Sequence, residues 1–163
     1  MISGRTWAFG DNIDTDQIIP SQYLVLRSID EMATHSLETQ RKEFASQVRP
    51  GDVIVAKQNF GCGSSREQAP TVLRALGVGA IIATSFARIF FRNSINMGIP
   101  VIVLPQAGEI NEGDQLDIDL ASGTIENRTN GRRYSFAPLE GLPAEIMAAG
   151  GLIPYLKSIE ASA

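Results

Sequence analysis

At 163 residues, with 44% hydrophobic and 20% charged side chains, the chain can bury a core without staples. A net charge of −4 and no run of five or six Lys or Arg argue against nucleic acid as a partner. One cysteine, Cys62, and one histidine, His35, exclude an internal disulfide and any zinc or iron–sulfur centre built from this chain alone. A metal that takes part in the chemistry has to be held by another chain.

In chain order, Gly4–Ile19 reads as a short strand, a polar loop and an apolar turn, stopped by Pro20. Ser21–Ser28 carries an apolar patch. Asp30–Glu43 has helical character, with Asp30 as the expected N-cap. Arg49-Pro50-Gly51-Asp52 is a turn, and Val53–Ala56 (VIVA) is a buried strand. A glycine loop, Gly61-Cys62-Gly63, precedes a helix over Ser65–Leu76 that Gly77 ends. Ala80–Ala83 (AIIA) is a second buried strand. Ser85–Met97 is helical, with Ser85 as cap, Gly98 as stop, and Ile89, Phe90 and Ile95 as a core stripe. Val101–Leu104 (VIVL) is a third buried strand.

Strands that alternate with helices imply an α/β core with parallel pairing. After Glu109 the pattern changes to period two, with turn signals at Ser122-Gly123 and Asn130-Gly131, which reads as a meander. The tail Pro143–Leu156 fits a short helix, a Gly-Gly break and a last anchor. No repeat or linker divides residues 1–163, so one domain is expected. No segment reaches the roughly 18 apolar residues of a membrane span, and the start MISGRTWAFGDN lacks an apolar signal core, so a cytoplasmic location away from membranes is expected.

The chemistry concentrates in Gly61-Cys62-Gly63-Ser64-Ser65-Arg66-Glu67, between a strand and a helix. Glycines let the backbone turn sharply and approach a ligand. A helix start favours an anion, and the Arg66 fork matches a carboxylate. Ser64 and Ser65 offer hydroxyls for hydrogen bonding or, with a stabilised alkoxide, for proton removal. Ser64-x-x-Glu67 also fits a capping box, which would make both residues helix-start devices. A phosphate-binding Walker loop is absent, because no Gly-Lys-Ser/Thr occurs, and Arg66 stands where a dinucleotide fingerprint needs its third glycine. Cys62 as nucleophile with His35 as base is a further option that nothing in the sequence ties together.

The segments GDNIDTDQIIP, NFGCGSSRE and SFARIFFRNSINMGIP, in this order and spacing, resemble the small subunits of 3-isopropylmalate dehydratase and homoaconitase, which are similar to the C-terminal swivelling domain of aconitase. The resemblance runs from about Trp7 to Leu104. It implies a swivelling β/β/α domain that caps a large subunit carrying a [4Fe–4S] cluster, so that no cofactor is bound by this chain. It further implies Ser64 as general base, Arg66 as the clamp on a substrate carboxylate, with Gly63 and Ser65 at the same site, and Asp16 as an active-site aspartate. Gln17 replaces the His often found beside that aspartate, and Gln68 replaces a His common after Ser-Arg-Glu. Arg88 and Arg92 share a helix face, available for ion pairing, docking to the large subunit, or a basic rim facing the substrate.

Substrates of this family share a malate-like core and differ on one side. The resemblance places that choice in the loop after Ile-Ile-Pro, where homoaconitase-like members carry an arginine after Tyr-Leu. In this chain Tyr23-Leu24 is followed by Val25 and Leu26, an apolar pair suited to an isopropyl group and costly for an unpaired carboxylate. Arg27 could still reach a carboxylate. The expectation is therefore a small dicarboxylate, 2-isopropylmalate, isomerised by dehydration and rehydration in leucine biosynthesis. Homocitrate, citramalate or dimethylmalate are alternative substrates, and a non-catalytic carboxylate-binding domain is an alternative of another class.

Overall fold

Short β-branched runs build the parallel half of a seven-stranded sheet: β1 (Ile2–Ala8), β2 (Val53–Ala56), β3 (Ala80–Ala83) and β4 (Val101–Val103). The computed structural model describes residues 1–163. Every residue of β2 and β3 is buried, as continuous apolar strands require when both sheet faces are covered. β1 divides its edges between two kinds of partner. Thr6–Ala8 pairs parallel with β2, and Ile2–Arg5 pairs antiparallel with β5 (Gln115–Asp119). The meander continues through β6 (Thr124–Asn127) and β7 (Arg133–Ser135), giving the order β4-β3-β2-β1-β5-β6-β7.

The apolar pattern explains why the sheet curls. Leu116, Ile118, Ile125 and Tyr134, which face inward from the meander, join Val53, Val55, Ala80, Ile82 and Ile102 in one cluster. The antiparallel half thus covers one face of the parallel half. The alternate residues Trp7, Ile54, Ala56, Ile81 and Ala83 point to the other face and pack beneath helices. The layers are β/β/α, as the resemblance implied. Asp52, at 4% exposure, accepts at Oδ2 from the Trp7 Nε1–H at 3.0 Å and the Arg49 N–H at 2.9 Å and at Oδ1 from the Arg5 N–H at 3.3 Å, so both oxygens of the buried carboxyl have partners.

The helices are α1 (Thr15–Ile18), α2 (Ile29–Ala33), α3 (Phe44–Gln47), α4 (Gln68–Ala75), α5 (Arg88–Asn96), α6 (Gly141–Ala149) and α7 (Leu152–Ser162). None is long and apolar enough to cross a membrane.

Several local expectations change. The helix expected over 30–43 is only α2, capped by the Ser28 hydroxyl rather than by Asp30, and turns follow to α3. Leu37 takes a left-handed φ of +56, becomes fully buried, and donates its N–H to the Ile18 carbonyl; burial of that side chain outweighs helix continuation. No capping box forms at Ser64-x-x-Glu67, because α4 begins at Gln68. The motif sits instead at Asp14-x-x-Gln17, where both reciprocal bonds are made. Ser85 does not cap α5; its Oγ accepts from the Asn59 N–H at 2.8 Å. Phe90 and Ile95 are core, whereas Ile89 is 52% exposed.

Candidate active site

Because β1, β2 and β3 run parallel, their following loops emerge at one edge, the usual place for a ligand in such sheets. Backbone bonds stitch these loops together. Gly61 N–H donates to Ile13 O at 2.7 Å, Thr15 N–H to Cys62 O at 2.8 Å, and Ala87 N–H to Phe60 O at 2.9 Å. Beneath them the fully buried Phe60 packs edge-on against Phe86 and Phe90, with centroids 6.1 and 5.3 Å away. Gly61 has φ +83, and a Cβ there would stand 2.1 Å from Phe90 Cγ, so only glycine crosses this floor.

Gly63, at φ +96, lays the next residue over α1. A Cβ on Gly63 would come within 3.4 Å of Thr15 Oγ1. Ser64 Oγ lies 3.1 Å from that same Thr15 Oγ1, which is 2% exposed as a residue and held at the first position of α1 by the Asp14–Gln17 capping box. Ser64 and Ser65 are exposed. Arg66 is half-buried and directs Nη1 inward, to Asp16 Oδ1 at 3.1 Å and the Ile19 carbonyl at 3.0 Å. Its Nε and Nη2 keep their donors for a ligand.

Asp16 also accepts from the Ser21 N–H at 3.0 Å. That backbone bond, and then Arg66, hold its carboxyl below the ordinary value of 3.8, so it is a fixed anion at neutral pH. An open hollow of about 460 Å³ is lined by Ser64, Ser65, Arg66, Glu67 and Gln68. A second cavity, of about 320 Å³, lies between β4, the meander and α6; its lining, including Val101, Leu120, Phe136 and Met147, has no titratable group.

The structure therefore brings Gly63, Ser64, Ser65, Arg66 and Asp16 together. It does not bring Tyr23, Val25 or Leu26 into the hollow. Tyr23 is half-buried, Val25 is 85% exposed, and Leu26 packs partly against the main core. Thr15 was not singled out from the sequence, although Asp14-x-x-Gln17 fits a capping box that would set it at a helix start. Gln17 is a capping residue, its side chain accepting from the Asp14 N–H at 2.8 Å.

The option of a Cys62–His35 pair fails. Burial, and then Asp14, push the Cys62 thiol up, away from thiolate character, and His35 Nδ1 is engaged by Glu38 Oε2 at 2.9 Å. Arg88 and Arg92 are exposed and form no ion pair within the chain. No three His, Cys, Asp or Glu side chains converge as metal ligands, so the residues present do not fit a cluster.

A curled β/β/α sheet with a serine–arginine loop at its parallel edge defines a swivel domain of the aconitase type. The aconitase C-terminal domain family model matches residues 6–107. The chain is 55% identical to a 3-isopropylmalate dehydratase small subunit from Nautilia profundicola, over 98% of this chain and 96% of that one. It is also 55% identical to a methanogen homoaconitase small subunit from Methanothermobacter thermautotrophicus, over 98% and 94%. The crystal structure of a 3-isopropylmalate dehydratase from Methanocaldococcus jannaschii matches with a TM-score of 0.95 at 45% identity, covering 99% of this chain and 96% of that one. The chain belongs to the aconitase C-terminal domain family, among the small subunits of 3-isopropylmalate dehydratase and its relatives.

Proposed function

We propose that this chain is the small subunit of a 3-isopropylmalate dehydratase that interconverts 2- and 3-isopropylmalate by losing and regaining water. The observation that carries the chemistry is the pairing of Ser64 Oγ with a buried hydroxyl, beside an Arg66 fork whose outer donors are unused. Arg66 binds one substrate carboxylate through Nε and Nη2, while Asp16 and the Ile19 carbonyl hold Nη1 and fix the plane of the guanidinium. Ser64 Oγ takes the proton from the carbon α to a carboxylate, and the released electron pair forms the C=C bond as hydroxide leaves the neighbouring carbon. Once Ser64 Oγ is the alkoxide that this step needs, the Thr15 hydroxyl 3.1 Å away is its donor and stabilises it. Re-addition of water at the other carbon, with the proton returned from Ser64, completes the isomerisation. Ser65 supports the bound diacid by hydrogen bonding. A [4Fe–4S] cluster would have to be held by the large subunit, since this chain has no ligand set for one, and would supply Lewis-acid chemistry there.

The open hollow supports this division of labour, since water is excluded only once a partner closes over it. The unpaired Arg88 and Arg92 face outward from the helix that follows the site loops, and they suit docking to that large subunit. The chain works as one swivel unit over residues 1–163, and its expected location is cytoplasmic.

Overall identity does not choose the substrate, because an isopropylmalate and a homoaconitase relative are equally similar. The choice rests on Val25 and Leu26, which offer no cation to an extra carboxylate. Anaerobic reconstitution with the cluster-bearing large subunit, assayed on isopropylmalate, citramalate and homocitrate side by side, tests the reading. A marked preference for isopropylmalate is expected. A preference for homocitrate would assign the extra carboxylate to the exposed Arg27 and overturn the substrate reading.

A further inference from the structure

His35, the chain's one histidine, lies outside the serine–arginine loop, and the mechanism above does not use it. Its ring stacks flat on the Tyr23 ring, with centroids 3.6 Å apart and planes 8° apart. His35 Nδ1 bonds Glu38 Oε2 at 2.9 Å. The Glu38 carboxylate nearby pushes the Tyr23 hydroxyl's pKa up. Burial pushes the Glu38 carboxyl up, but its Tyr23 and His35 neighbours outweigh it, and the group lies below its ordinary range.

The support beneath this trio is unusual. Leu37, between the two platform residues, is a fully buried leucine in the left-handed region at φ +56. Its N–H donates to the carbonyl of Ile18 at 3.1 Å, one residue before Ile19, whose carbonyl receives Arg66. A branched side chain held in that backbone region marks a place where the surrounding structure over-determines the chain. The consequence is that the turn over 34–40 is tied to the core at the same point as the catalytic arginine.

The segment over 21–27 packs Tyr23, Leu24 and Leu26 only partly against the main core. At its start the Ser21 N–H is held by Asp16, and within it the Leu26 N–H donates to Tyr23 O at 3.1 Å. Val25 is 85% exposed. Tyr23 joins this segment to the 34–40 turn through its stack on His35.

We propose that His35 and Glu38, carried on the Leu37 turn, are positioning residues that fix Tyr23 and thereby set how sharply the assembled enzyme discriminates among diacids at Val25 and Leu26. The proposal rests on the reading that the 21–27 segment meets the variable side of the substrate. It adds a second tier to the specificity device: Val25 and Leu26 supply contact, and the His35–Glu38 platform supplies their placement relative to Arg66. A loosened platform leaves the proton-transfer residues untouched and blurs selection.

The test uses the holoenzyme with its large subunit and three variants: His35→Ala, His35→Phe and Glu38→Gln. For whichever diacid the wild type prefers, His35→Ala is expected to raise KM about tenfold, the factor one aromatic contact can carry, and to shrink the kcat/KM ratio over the poorer diacids by a similar factor. Its kcat is expected to stay within about threefold, because a placement effect acts on binding before chemistry. His35→Phe keeps the stack and is expected to restore most of the ratio; Glu38→Gln falls between the two. Hydrogen exchange on the isolated chain gives a readout that needs no activity: the Leu24 and Leu26 amides are expected to exchange faster in His35→Ala than in His35→Phe, with the sheet amides unchanged. Unchanged KM, ratio and exchange in His35→Ala would overturn the proposal. A uniform loss of kcat on every diacid, with weaker assembly, would overturn it in favour of a merely structural role. An unexpected preferred diacid would sink the isopropylmalate reading while leaving the His35 outcome readable.

Discussion

The loop over 60–66 and the segment over 21–27, which the proposed function assigns to one substrate, are built in different ways. The first is locked by backbone bonds to Ile13, Thr15 and Ala87, floored by Phe60, Phe86 and Phe90, and turned by Gly61 and Gly63 at positive φ. The second exposes Val25, is held at its start by Asp16 and by the stacked Tyr23 ring, and packs Leu24 and Leu26 only partly against the core. The difference teaches which part of the chemistry the chain owns. In the proposed mechanism Ser64 and Arg66 need fixed geometry before substrate arrives, because misplacement by about 1 Å can cost 10²-fold. Selection of a side chain tolerates a surface that is completed by the partner.

Substitutions sharpen this comparison. Gly61→Ala strikes the locked region hardest: a Cβ at φ +83 against Phe90 is expected to cost about 3 kcal/mol, read by chemical denaturation. Arg66→Lys keeps the charge but loses the fork, and is expected to lower kcat/KM of the reconstituted enzyme roughly 30-fold, about 2 kcal/mol. Val25→Arg tests the loose region. It is expected to swing the isopropylmalate-to-homocitrate ratio about tenfold toward homocitrate, with stability within about 0.5 kcal/mol because the site is exposed.

Asp16→Asn, at the junction of the two regions, is expected to raise KM only about threefold, as befits a largely exposed ion pair. Its pH behaviour follows from the direction of the shift. The Asp16 carboxyl lies below 3.8 in the folded chain, so its contribution is present above that value and is lost only as pH falls below it. The wild type and Asp16→Asn are therefore expected to give pH–rate profiles of the same shape from pH 5 to 9. A limb that disappears in the variant would make Asp16 a titrating participant rather than a fixed anion.

Much of this architecture was legible in the residues. Val53–Ala56 and Ala80–Ala83 coincide with β2 and β3, because short runs of β-branched residues between turn signals have few alternatives. The Gly150–Gly151 break between α6 and α7 was equally plain. Three things were not. Curling of the sheet depends on β1 pairing with both β2 and β5, a long-range choice without a local signal. The helix expected over 30–43 ended early because Leu37 found a better place in the core than on a helix. Capping signals at Asp14 and Ser64 look alike in sequence, and tertiary contact decides between them: Ser64 is drawn toward Thr15, which Asp14 and Gln17 have already fixed. The residues that carry the site were readable as types, while the hydroxyl behind Ser64 was visible only in the fold.

The central claim, that this chain brings the base, is tested most directly by the rate at which the reconstituted enzyme dehydrates its substrate to the unsaturated diacid in a single turnover. With Ser64→Ala that rate is expected to fall by roughly 10²–10⁴-fold, the usual contribution of a positioned base, while affinity for the large subunit stays the same. Dehydration within threefold of wild type in a fully assembled Ser64→Ala enzyme would contradict the account and place the base on the partner.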